Sequence, residues 1–184
     1  MKFLNKRVVV ILIITALLLL IPLTAMQFSD EVNWSVSDFI IMGTALLLVG
    51  FGYNWISQKS KKMQFKLATA FAILGAFLLF WVNAAVGIIG NENQTANLLY
   101  FSVFLILIIG IGISKFKAKK LAFTMFFASG VQLLIPVIAL IIWPPPTISW
   151  SPGVLGVFIF SSIFTIIFAC SGFLFLHSHT TNNL

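Results

Sequence analysis

The chain has 184 residues, of which 60% are apolar and only 8% charged, with a mean hydropathy of +1.11. Soluble domains run nearer half apolar and about a quarter charged, and disordered chains have the opposite composition, so both classes are excluded. The formal charge of +7 sits in short clusters at the edges of apolar runs. With no basic face for a groove to meet, nucleic acid is excluded as a partner.

A membrane-spanning helix needs roughly 20 predominantly apolar residues. Uncharged runs of that kind lie at about 8–26, 39–57, 67–90, 96–114, 121–143 and 153–176. They lack the period-two alternation of a membrane barrel, so the predicted fold is all-α. It is a polytopic integral membrane helical bundle with six transmembrane helices in a single domain, residues 1–184.

The first run follows Lys2, Lys6 and Arg7 and is about 19 residues long. A cleavable signal core is shorter, about 7–15 residues, so this segment is expected to stay as the first span. Its Pro22 cannot donate to the carbonyl of Leu18. The connection QFSDEVNWSVSD, residues 27–38, holds Asp30, Glu31 and Asp38 together with Trp34. Carboxylates on a loop suit a cation or a basic partner, but EF-hand spacing is absent. Trp34 and Trp150 also fit an interfacial aromatic belt without further function.

The second run ends in Lys59, Lys61, Lys62 and Lys66. In the third, Asn83 shares a helical face with Ala68, Ala72, Ala76, Gly87 and Gly90. Small residues with one amide predict a close helix contact held by a hydrogen bond. The other reading is an amide lining a ligand or ion path. Glu92 follows among Asn91, Asn93 and Asn97, where it is placed to cap the next helix or to face an outer vestibule with Asp30 and Glu31.

The fourth run ends in Lys115, Lys117, Lys119 and Lys120. The fifth carries Gln132, with Ala128, Ser129, Pro136 and Ala139 nearby on one side. Pro136 frees the carbonyl of Gln132 as Pro22 frees that of Leu18. The two groups lie at similar depth, so the Gln132 amide is predicted to donate to the Leu18 carbonyl or to share a water with it. The segments LLIPLTAM (19–26) and LLIPVIAL (133–140) also read alike, as a parallel internal repeat or as two separate proline-kinked helices. Cys170, the single cysteine, reads as a small packing residue.

All 11 basic residues fall on one side of the alternating spans and all four acids on the other. The positive-inside rule then places both termini in the cytoplasm. No catalytic constellation, cofactor motif or metal-ligand set is found: His177 and His179 lack a third ligand, and no buried Ser–His or paired acids support a hydrolase.

Two segments, LLIPLTAMQFSDEVNWSVSDF (19–39) and FWVNAAVGIIGNENQTANLLY (80–100), resemble a group of small bacterial integral membrane proteins of unknown function. The similarity covers about the first 100 residues. It departs at Asn54-Trp55, where that group has a Glu-Leu pair. The resemblance implies a bacterial plasma (inner) membrane and draws attention to the first outer loop and the outer end of the third helix.

The candidate ligand- or partner-binding residues are therefore Asp30, Glu31, Trp34, Asp38, Asn83, Glu92 and Gln132. The expected partners are the lipid bilayer and a protein partner or second copy of the chain. With no charge inside the spans, the first expectation for function is a non-enzymatic accessory or scaffold subunit. The alternative is a small transporter or channel with Asn83 and Gln132 along its path.

Overall fold

The computed structural model describes residues 6–180; Lys2 lies outside them. Six α-helices follow in chain order: α1 (Lys6–Ala25), α2 (Val36–Ser57), α3 (Met63–Ala85), α4 (Phe101–Ser114), α5 (Ala118–Ile142) and α6 (Val154–Thr180). A 3-10 helix, Thr95–Tyr100, leads into α4. Taken with that turn, α4 makes the fourth of six segments, among the described residues, long and apolar enough to cross a membrane. The six expected runs are thus six helices, with ends shifted by a few residues.

The largest shift is at the third. Its helix ends at Ala85, so Gly87 and Gly90 are not on its face as the sequence reading had them. Both adopt positive φ, +72° and +75°, which favours glycine because a Cβ would crowd the following carbonyl. The sixth helix runs further than expected, and His177 and His179 belong to its last turn.

The chain divides into two compact units, residues 1–56 and 57–184. In the first, α1 and α2 run antiparallel: Arg7 Nη1 donates to Asn54 Oδ1 at 3.4 Å, and a Cβ on Gly43 would sit 3.4 Å from Leu19. The start of α2 is fixed by a capping box. Asp38 Oδ2 accepts from the Ser35 amide at 2.7 Å, and Ser35 Oγ accepts from the Asp38 amide at 3.3 Å. In α1 only Thr15 is buried, while Val10, Ile13, Leu17 and Ile21 around it are exposed. An apolar surface of that extent is suited to lipid and not to water.

In the second unit α6 packs between α3 and α5, and α5 between α6 and α4. The four helices run up and down in sequence, with a short turn between α4 and α5 and longer connections between α3 and α4 and between α5 and α6. The buried positions of α3 are Phe65, Ala68, Thr69, Gly75 and Leu79; Phe65, Ala68, Gly75 and Leu79, spaced by three, seven and four residues, form the stripe that meets α6. Gly75 lets the backbones approach, since a Cβ there would lie 2.7 Å from Ile167. Polar side chains tie the same seams: Ser171 Oγ donates to the Ala68 carbonyl at 2.8 Å, and Ser129 Oγ to the Thr165 carbonyl at 2.9 Å. Cys170 on α6 is exposed, so it is not the packing residue its apolar neighbours suggested.

Candidate functional site

One end of the second unit is built around asparagine. After α3 closes at Ala85, the Gly87 amide reaches back to the Val82 carbonyl at 3.1 Å, and the left-handed glycine turns the chain away from the helix axis. Residues 86–94 then fold back against the helices, burying Ile88 (3% exposed) and Ile89 (0%). A buried loop must find partners for its backbone polar groups. Asn97 supplies them.

Asn97 Oδ1 accepts from the amides of Ile88 and Ile89 at 3.1 and 2.9 Å. Its Nδ2 donates to the carbonyls of Ile89 and Asn91 at 3.1 and 2.6 Å. Two lone pairs and two N–H groups are the whole capacity of an amide side chain, and this loop takes all of it. Asn83 braces the arrangement from α3, its Nδ2 donating to the Asn97 backbone carbonyl at 3.1 Å. The amide predicted to hold a helix contact by a hydrogen bond thus joins α3 to the 3-10 helix that leads into α4.

The connection after α5 closes over the same end. The Gly90 amide donates to the Ser151 carbonyl at 3.2 Å, and Gln94 Nε2 to the Ser149 carbonyl at 2.7 Å. Trp150 is buried, and its indole N–H donates to the Trp143 carbonyl at 2.9 Å, at the C-terminus of α5. The belt reading of Trp150 therefore gives way to a capping one. Glu92 is exposed and accepts from Asn93 Nδ2 at 2.9 Å. The 3-10 helix after it has no side-chain cap, so the predicted capping role falls.

Gln132 lies in the middle of α5, fully buried. The carbonyl left free by Pro136 accepts from Ser161 Oγ at 2.9 Å, and the Gln132 amide Nε2 donates to the same oxygen at 3.2 Å. One serine on α6 thereby takes the place that the sequence reading gave to Leu18. Tyr100, also fully buried, lies beside Ser161. Among the described residues, its hydroxyl, Gln132 Oε1 and Asn83 Oδ1 are buried without a hydrogen-bond partner.

The remaining candidates belong to the first unit. Asp30 and Glu31 are exposed, and Trp34 packs edge-on against Phe39 with ring centroids 5.3 Å apart. Asp38 is committed to the capping box already described. Among the described residues no three His, Cys, Asp or Glu side chains are placed to hold a metal ion. Sequence reasoning missed Asn97 as the hub and Ser161 as the partner of Gln132. A signal existed for the second, because a proline-freed carbonyl in an apolar segment requires a donor. No family model matches the chain, and neither a curated protein nor a solved structure does.

Proposed function

We propose that the chain is a multi-pass protein of a bacterial plasma membrane, with both termini in the cytoplasm, acting as a non-enzymatic accessory or partner-binding subunit. The main support is the state of Gln132. Its side-chain Nε2 and its freed backbone carbonyl are both engaged by Ser161, which leaves Oε1 as the one polar atom of its side chain without a partner among the described residues. The exposed apolar shell of α1 gives a partner helix or lipid a surface to cover.

Purification of the native protein from mild detergent, followed by mass spectrometry, tests the role. A second chain at fixed stoichiometry is expected, and a monomer carrying a tightly bound solute overturns the proposal. Cysteine labelling tests the topology separately: Lys61→Cys should react from the cytoplasmic side only, and Glu92→Cys from the opposite side only.

The second reading, a small transporter or channel, draws on the three partnerless polar atoms at Asn83, Tyr100 and Gln132. Waters joining them into a path would favour it. Solute flux in proteoliposomes that is lost on Gln132→Leu would establish transport in place of the accessory role.

A further inference from the structure

Three helical segments converge on Ser161, and their polar groups do not balance. Tyr100 ends the 3-10 helix before α4, Gln132 lies midway along α5, and Ser161 stands on α6. All three are fully buried, each 0% exposed. Inside apolar surroundings a polar group without a partner is costly, so each donor and acceptor here needs one close by.

The count can be made atom by atom. Ser161 Oγ has one proton and two lone pairs. The proton goes to the Gln132 carbonyl at 2.9 Å, and one lone pair accepts from Gln132 Nε2 at 3.2 Å. One lone pair is left over. Among the described residues Gln132 Oε1 and the Tyr100 hydroxyl have no hydrogen-bond partner, although Tyr100 lies beside the same serine. The unmet groups therefore include two donors, the Tyr100 O–H and the second Nε2 proton, and two acceptors, Gln132 Oε1 and the last Ser161 lone pair. A water molecule offers two protons and two lone pairs, and a buried one typically makes about three hydrogen bonds.

The sequence of α5 makes room beside the amide. A helical side chain leans over the turn before its own Cα, and one turn before Gln132 stand Ala128 and Ser129, both small and buried. The Ser129 hydroxyl is already committed to the Thr165 carbonyl. We propose that Tyr100, Gln132 and Ser161 form a closed binding site for one water molecule, which accepts from the Tyr100 hydroxyl and donates to Gln132 Oε1. The water joins the start of the fourth span to α5 and α6. The site does not rest on the accessory reading, since a bundle in either role has the same atoms to satisfy.

The test turns on a sign. Tyr100→Phe removes the hydroxyl and little else. A dry, partnerless hydroxyl would leave the variant as stable as the parent or more so, because its loss relieves a desolvation cost. With the water bound, the variant strands both the water and Gln132 Oε1. The unfolding temperature of the full chain in nanodiscs should then fall by about 2–4 °C. In a Gln132→Met background the water has already lost its chief acceptor, and the same substitution should cost roughly half as much or less. A crystal structure grown from a lipid mesophase, at a resolution that shows ordered water, gives the second readout. One peak within about 3.2 Å of both Tyr100 Oη and Gln132 Oε1 is expected. An unchanged or raised unfolding temperature in Tyr100→Phe overturns the proposal. So does a map with no such peak, with a direct Tyr100–Gln132 hydrogen bond, or with a file of waters running on to Asn83, the last of which would support transport instead.

Discussion

At one end of the α3–α6 unit a single buried side chain, Asn97, satisfies four backbone groups of a folded-in loop. At the other end five lysines face one cleft with no acidic side chain among them. At the first, every side-chain donor and acceptor of Asn97 finds its partner inside the same unit. At the second, like charges gather on one lining, and among the described residues no aspartate or glutamate shares it. Substitutions at the two ends should therefore differ in sign as well as size.

The largest effect is expected at the hub. Asn97→Leu keeps the branched shape but strands the amides of Ile88 and Ile89 and the carbonyl of Ile89, while the Asn91 carbonyl still accepts from the Gln94 amide; each buried unsatisfied group costs about 1–3 kcal/mol. The variant should fail to yield a cooperative thermal transition in detergent. Asn97→Asp keeps the acceptor atoms for Ile88 and Ile89 but loses both donors, so it should be less stable than the parent and more stable than the leucine variant. A stable, cooperative Asn97→Leu protein would show that the loop does not depend on its hub.

Next in size come the glycines of the same loop. Gly87→Ala places a Cβ 2.7 Å from Asn97 Nδ2 and also forces a left-handed alanine. The conformation alone costs roughly 1–2 kcal/mol, and the displaced hub adds to it. Limited proteolysis between residues 86 and 94 should become faster in this variant. An unchanged cleavage rate would contradict the link between glycine geometry and loop burial.

A smaller effect, with a sharper signature, is expected in the middle of the unit. Ser161→Ala leaves the proline-freed carbonyl of Gln132 without its donor, at about 1–3 kcal/mol. Pro136→Ala restores a backbone N–H to that carbonyl. The double variant should therefore lose less than Ser161→Ala alone, a non-additivity expected of groups in direct contact. Strict additivity in denaturant unfolding would mean that Ser161 does not serve as the substitute for the missing amide.

The contrast between the ends also explains what could be read from the sequence. The six spans were legible because hydrophobic length is a property of consecutive residues, whereas the capping box of Ser35 and Asp38 that starts α2 went unread in the sequence. Gln132 was legible as half of an interaction, since Pro136, one turn further on, removes its partner by covalent structure alone. Its other half was not, because Ser161 lies 29 positions away on another helix. The end of α3 was misplaced for a similar reason. Val86 to Gly90 is as apolar as the helix before it, and only the positive φ of its glycines separates the two. The lysines were read as an orientation signal along the chain, and the cleft appeared only when the turns from positions 59 and 117 met in space.

The smallest effect, and the one that separates the two ends most cleanly, is expected from Lys119→Gln measured in phosphatidylcholine, without anionic lipid or free phosphate. Both Lys119 and Lys120 are exposed, and surface substitutions of this kind usually stay within about 0.5 kcal/mol. Their sign is the informative part. Removing one of several like charges relieves repulsion, so the variant should unfold at the same temperature as the parent or slightly higher, and the difference should shrink as salt is raised. In phosphatidylglycerol the order should reverse, because the parent then gains a counter-charge that the variant holds less well. A loss of stability in both lipids would place Lys119 in the same class as Asn97, as a group satisfied within the chain, and the contrast between the ends would collapse.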